Sequence, residues 1–405
     1  MSFSTVFAAI LLMGWLGSRL AGRLGLPQVL GMLASGILLG LLLEQRLPPS
    51  LAGVEPFLKT FALLVILLRA GLGINRKILK QTGITSLLMA ALPCLAEGSI
   101  LFFAFRGIFH FPYAVSGMAA FMLSAVSPAV IVPSMLNLKE MGYGTNKQVP
   151  TIVLAGASLD DVFAITMFSV FSRIYSGGRN FGASDLLQIP FSIIMGILLG
   201  LGFGFFIVWF FHKIKQIRAT EKIIVLLGLC LVMIEIGDHY QIASFLGAMT
   251  IGYILFERQN KIAAEISAKL GKIWIFAEIV LFVLIGMSLN PASLKEAGLK
   301  GLLVICIGLM ARSAGVLLAT AFSRLNRREK LFCVISYLPK ATVQAALGSI
   351  PLALGVAEGG VILALAVMSI CLSAPLGLIL IKRYGQRLLV RHDPAVIQKA
   401  PELVT

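Results

Sequence analysis

Residues 123–135 read LSAVSPAVIVPSM, and residues 335–347 read ISYLPKATVQAAL. Each lies within an apolar run of about 20 residues, the length that crosses a bilayer as a helix. Each also carries proline at mid-run: Pro128 and Pro133 in the first, Pro339 in the second. Proline has no backbone N–H and its ring crowds the carbonyl four residues back, so polar backbone is freed at membrane depth and needs protein, water or an ion as partner. Both helices are expected to be interrupted, with Ser124 and Ser127 at the first break and Lys340 and Thr342 at the second. Proline alone is a weak signal, because it is common in membrane helices and often only kinks them.

Composition places these runs in a membrane. The chain of 405 residues is 58% hydrophobic and 13% charged, against about 45–50% and about 25% for soluble domains. The apolar runs are too long for the ~10-residue alternating strands of a barrel, so the expected fold class is an all-α polytopic bundle. The start, MSFSTVFAAILLMGWLGSRLAG, lacks a basic n-region and is expected to be the first transmembrane helix; no soluble domain is expected before or after the bundle. Cys94, Cys230, Cys306, Cys333 and Cys371 are scattered singly in apolar segments, with no metal or redox spacing, and are expected to behave as small core hydrophobes. His110, His212, His239 and His392 form no cluster.

About thirteen candidate spans follow, with ends soft by a few residues. Most Lys and Arg fall in loops after odd-numbered spans, in stretches such as ERQNKIAAEISAKLGK (257–272) and RLNRREK (324–330). Basic loops are the cytoplasmic ones, so the N-terminus is expected outside and the C-terminus inside. The net charge of +16 is thereby a topology signal. These loops can touch anionic membrane lipids, and no nucleic-acid partner is expected.

The two breaks are related by order. Spans four to six (84–105, 113–136, 148–172) and spans eleven to thirteen (299–322, 331–353, 359–381) form triplets seven spans apart, and because seven is odd the second is inverted. Glu97 then corresponds to Arg312, and Ser124–Pro128 to Ser336–Pro339. Paired interrupted helices in inverted halves point to the midplane site of a secondary transporter.

Ionisable residues inside spans cost at least ~2.5–3.5 kcal/mol each at a helix centre, so each calls for a partner or a transport role. The set is Arg69, Glu97, Asp160, Asp161, Glu278, Arg312 and Lys340. Adjacent on a helix, Asp160 and Asp161 point about 100° apart, so one can face a partner helix and the other a cavity. Lys340 is expected to pair with Asp160, and Arg312, whose fork suits a carboxylate, with Glu97. That leaves one net negative charge, which one Na⁺ or one proton would neutralise. A hard monovalent cation needs oxygen ligands, here a carboxylate, Ser124 or Ser127, and carbonyls freed by Pro128; Na⁺, Li⁺ and K⁺ are all open. Arg69 is expected to snorkel at the inner end of its span. Glu278 either lines an inner vestibule or pairs locally with a loop lysine.

The stretches SAVSPAVIVPSM, GYGTNKQVPTIVLAGASLDDVFAIT, YLPKATVQAALGS, LRAGLGI and PCLAEG, in that collective arrangement from about Arg69 to Ser349, resemble the sodium/proton antiporters of the cation:proton antiporter superfamily. The double-aspartate sodium/hydrogen exchanger subfamily B and its bacterial relatives are the nearest branch. The resemblance implies a homodimer in the bacterial inner membrane, each protomer having scaffold helices (about 1–44 and 186–289) and a core bundle (about 56–172 and 299–381) with crossed broken helices. It implies elevator-like exchange of Na⁺ or Li⁺ for H⁺ with no cofactor. Asp161 would carry cation and proton in competition, Asp160 would be the second carboxylate, Ser127 an ion neighbour, and Lys340, Glu97 and Arg312 the charge-compensating set. Better-known bacterial members hold a lysine where this chain has Arg312, a lysine tied to two protons per sodium. An arginine cannot release a proton, which leaves one-for-one exchange open. Two alternatives remain: K⁺/H⁺ exchange, and sodium-coupled symport of an organic anion on a similar fold. No nucleophile, metal or phosphate motif suggests an enzyme.

Overall fold

In a bilayer every backbone polar group must be satisfied internally, so the apolar runs fold as helices. The computed structural model describes residues 2–43, 48–73, 82–177, 183–214, 218–240 and 242–391; His392 and the last residue of the predicted second span, Glu44, lie outside them. The first helices are α1 (Phe3–Arg23), α2 (Gln28–Leu43), α3 (Pro49–Gly73) and α4 (Ile84–Ala104), the last continued by a π-helical turn at Phe105–Phe109. Then come α5 (Tyr113–Leu123), α6 (Pro128–Glu140), α7 (Val149–Ser176), α8 (Ala183–Lys213), α9 (Ala219–His239), α10 (Ser244–Arg258), α11 (Asn260–Met287) and α12 (Pro291–Ala319). The chain closes with α13 (Arg327–Ser336), α14 (Thr342–Gly348), the single turn α15 (Ile350–Ala353) and α16 (Gly359–Leu388). Among the described residues the architecture is all-helical, and eight helices are long and apolar enough to cross a membrane.

Both proline-bearing runs are interrupted, as two half-helices each: α5 and α6 around Ser124–Ser127, and α13 and α14 around Tyr337–Ala341. Pro128 starts α6 at its first turn, where the missing N–H is no loss. Pro133, also expected at an interruption, is instead carried inside α6; one missing ladder bond near the helix start is tolerated where neighbours re-satisfy the backbone. The start of α13 is fixed by a capping box, Asn326 accepting from the Glu329 N–H at 2.9 Å and Glu329 from the Asn326 N–H at 2.6 Å. In α12 the backbone leaves helical geometry at Gly298 (φ 38°, ψ −136°), so the membrane part begins where the apolar run does.

α7 packs on α4 and α5, and α12 packs on α4. Elsewhere α2 packs on α1 and α11, α10 packs on α3 and α8, and α3 also lies against α11. The α4–α12 seam decides the site, because Gly308, Arg312 and Gly315 recur at helical spacing on one face of α12. A methyl on Gly315 would come within 2.6 Å of Pro93 Cα, and one on Gly308 within 2.8 Å of Glu97 Oε1. Small residues here let the two backbones close until the guanidinium between them reaches α4. Of the cysteines, Cys94, Cys230 and Cys333 are buried as expected, whereas Cys306 and Cys371 lie on the exposed surface of the bundle, where lipid suits an apolar thiol equally well.

Substituting Gly315→Leu should overpack this seam and cost roughly 1–3 kcal/mol. It is expected to lower the melting temperature of the detergent-solubilised protein by several degrees; an unchanged melting curve would mean the seam can open without penalty.

Candidate ion-translocation site

The two interruptions meet. The Ser127 N–H donates to the Pro339 carbonyl at 2.8 Å, which ties the start of α6 to the break beyond α13. α7 passes beside this junction and brings Asp160 and Asp161 to it. Asp160 is fully buried and Asp161 is 2% exposed. Arg312, 1% exposed, comes from α12, Glu97 from α4, and Lys340 from the second break.

The ion pairing differs from the sequence expectation. Arg312 Nε donates to Glu97 Oε2 at 2.5 Å, and its terminal nitrogens donate to both oxygens of Asp160 at 3.3 and 3.2 Å. Lys340 Nζ does not hold Asp160: it donates to Glu97 Oε2 at 2.9 Å, lies 2.7 Å from Oε1, and donates to the Leu123 carbonyl at 2.5 Å. The expected Glu97–Arg312 pair is present, and the expected Asp160–Lys340 pair is replaced by Asp160–Arg312. The reason is geometric. A planar guanidinium presents donors along several directions and can serve two carboxylates at once, whereas the ammonium is a compact charge that fits the negative C-terminal end of α5 at Leu123. The Arg312 guanidinium carbon also sits 5.8 Å from the centre of the Tyr337 ring, within cation–π range.

The two aspartates divide as their 100° separation on α7 requires. Asp160 is saturated, by Arg312 and by the Val126 N–H, which donates to Oδ2 at 2.8 Å. Asp161 lines a cavity of ≈ 1050 Å³, and its Oδ1 has no hydrogen-bond partner among the described residues. The same is true of the buried hydroxyls of Ser127 and Thr342. Ser124 is differently placed: its hydroxyl donates to the Phe121 carbonyl at 3.1 Å and contacts Cys94 Sγ at 3.3 Å. Pro128 lines the cavity as well. The cavity runs between Asp161 and the helix ends bearing Gln28, Lys139 and Lys382. Arg69 and Glu278 both line it.

Three participants were not singled out from the sequence. The Val126 N–H is backbone, invisible in a residue pattern. Tyr337 stands at the second break with its hydroxyl buried and unpartnered among the described residues. Gln344 donates to the carbonyls of Met122, Leu123 and Ala125. A neutral amide inside an apolar run was the available signal for Gln344, and a search restricted to ionisable residues passes over it.

An integral membrane bundle with two interrupted helices abutting at a buried cluster of carboxylates and cations defines an ion-transporter class of site. Residues 7–384 match the family described as "Sodium/hydrogen exchanger, transmembrane", and the chain belongs to that family. It is 32% identical over 387 residues to sodium/hydrogen exchanger 9B2 of Homo sapiens, covering 91% of this chain and 71% of the relative. It is 30% identical over 396 residues to sodium/hydrogen exchanger 9B1 of Homo sapiens, covering 92% and 75%. Its fold resembles that of the sodium proton antiporter MjNhaP1 from Methanocaldococcus jannaschii, with a TM-score of 0.75 and 20% identity over 95% of this chain and 97% of that one. It is thus a cation:proton antiporter of the sodium/hydrogen exchanger type, a family that transports Na⁺ and H⁺ without a cofactor.

The pairing scheme makes unequal demands on the two cations. Arg312→Leu leaves Asp160 without a counter-charge while Lys340 still holds Glu97, and leaving a buried charge unpaired costs about 3–5 kcal/mol. Lys340→Leu keeps every Arg312 bond. Thermal unfolding should show Arg312→Leu as clearly the more destabilised; the reverse order would overturn the scheme.

Proposed function

We propose that Asp161 is the carrier carboxylate, taking up Na⁺ or Li⁺ and H⁺ in competition, and that Asp160 stays bound to Arg312 as its fixed electrostatic neighbour. The observation that carries this reading is the contrast between them: Asp160 has its oxygens engaged, while Asp161 presents an unpartnered oxygen beside the cavity. Ser127 and Thr342 supply further uncommitted oxygens at the same junction, and Ser124 a weaker candidate because its hydroxyl is already turned to α5.

Glu97, Asp160, Arg312 and Lys340 balance as two negative and two positive charges, so Asp161 alone sets the net charge of the site. One Na⁺ neutralises it, and so does one proton. The exchange is accordingly electroneutral, one for one. Organic-anion symport is disfavoured by the ion-pair network, which occupies the junction of the two breaks.

The chain crosses the membrane about thirteen times, each interrupted helix counting once, as the α5–α6 and α13–α14 halves support. The triplets α4–α7 and α12–α16 form the inverted repeat. The core bundle, about 56–172 and 299–381, moves as an elevator against the scaffold, about 1–44 and 186–289, in a homodimer with the N-terminus outside and the C-terminus inside the bacterial cytoplasmic membrane. α3 bridges the two parts, since it packs on α10 and α11 and also on α7 and α14. The cavity's position supports an arrangement open towards the inner face.

In proteoliposomes carrying a pH dye, Na⁺ or Li⁺ should move protons and Asp161→Asn should abolish the response; retained exchange in that variant would refute the carrier assignment. The same assay with K⁺ decides the cation. Clamping and releasing the membrane potential should leave the rate unchanged, whereas a rate that follows the potential would mean more than one proton per cation.

A further inference from the structure

Gln344 lies in the first turn of α14 and is fully buried. Its Nε2 donates to Ala125 O at 2.8 Å, to Met122 O at 3.2 Å and to Leu123 O at 3.4 Å. Three carbonyls around one end of the side chain dictate which end is the NH₂, since the oxygen end would repel all three. The Ala125 bond has a consequence that the other two lack. The Ala125 C=O and the Val126 N–H belong to one peptide unit, which is planar and holds these groups pointing in opposite directions. A donor that fixes the carbonyl therefore aims the N–H. That N–H donates to Asp160 Oδ2 at 2.8 Å. The unit sits between α5 and α6, outside either helix, so no helical ladder orients it. The following peptide is tied separately, by Ser127 N–H to Pro339 O. A continuous chain of hydrogen bonds thus runs from the Gln344 amide through one peptide to a carboxylate, and in a low-dielectric interior each bond polarises the next.

We propose that Gln344 is a positioning residue for the aspartate pair: acting through the Ala125–Val126 peptide, it orients the donor that fixes Asp160, and so sets the field in which Asp161 binds its cation. The proposal rests on Asp161 as carrier. It links the second interrupted helix to the ion through neutral groups, beside the charged route through Lys340 and Glu97. Gln344 adds no charge to the site, which keeps the balance of the four-residue network intact. A side chain that merely plugged the gap would satisfy carbonyls and stiffen α14 without touching the carboxylate.

Two substitutions separate these roles. Gln344→Leu keeps the volume and loses the donor; Gln344→Asn keeps the amide on a stem one methylene shorter. In proteoliposomes the apparent KM for Na⁺ should rise about tenfold in either variant, with Vmax falling by much less, a change worth about 1.4 kcal/mol. In infrared spectra of protein labelled with ¹³C-aspartate, the carboxylate band removed by Asp160→Asn should shift in both Gln344 variants. A lowered melting temperature with KM within twofold of wild type and that band unmoved would overturn the proposal and leave a structural plug. If the purified wild-type protein gains no thermal stability from Na⁺ while Asp161→Asn exchanges normally, the carrier reading itself fails, and this proposal fails with it.

Discussion

The cost of a charge without water governs this structure. Four formal charges, Glu97, Asp160, Arg312 and Lys340, are each at most 1% exposed, and a charge buried without a partner is costly. The fork of Arg312 makes the cluster possible, because one guanidinium reaches Glu97 through Nε and Asp160 through its terminal nitrogens. Everything around it serves that reach. Gly308 and Gly315 let α12 approach α4 closely, and Tyr337 offers a ring face near the guanidinium. Lys340 neutralises the second oxygen of Glu97 and the buried carbonyl end of α5 together.

The same constraint explains why two broken helices must touch. An interruption in one membrane helix leaves backbone groups that lipid cannot satisfy. Here each break satisfies the other: Ser127 N–H finds Pro339 O, Leu123 O finds Lys340, and the carbonyls of Met122 and Ala125 find Gln344. The Lys340 N–H is taken by Ser373 on α16 at 3.0 Å. Separating the halves would orphan this whole set at once, which ties the two breaks together.

Much of this was legible in the sequence, because it was written in residue types. Pro128 and Pro339 marked the breaks, and isolated charges in apolar runs marked Glu97, Asp160, Asp161, Arg312 and Lys340. That Asp160 and Asp161 point in different directions followed from helix geometry; which of them is paired did not. Which cation met which carboxylate did not follow, since Arg312 and Lys340 both lie far from α7 in sequence and their reach depends on how closely α12 and α4 pack. Gly308 and Gly315 carry that information, but in a membrane helix glycine is too common to read without a partner in view. The Val126 N–H could not be read at all: a backbone donor has no letter. Pro133 shows the converse error, a proline read as part of an interruption but carried inside α6, which had already begun at Pro128.

A balanced network beside a single unbalanced carboxylate also constrains how the site can move. On the proposed reading, a core that crosses the bilayer with Asp161 empty carries one bare negative charge, whereas a core with Na⁺ or H⁺ on Asp161 carries none. Moving an unpaired charge through hydrocarbon costs several kcal/mol more than moving a neutral site. The loaded forms therefore cross and the empty form does not, which is the condition for exchange without leak. Had Asp160 been held by Lys340 alone, the ammonium could have released it or lost its own proton during the cycle, and two charges would have been left in play. Arg312 keeps its proton in any surroundings, so on the proposed reading Asp160 keeps its partner and coupling rests on the occupancy of Asp161.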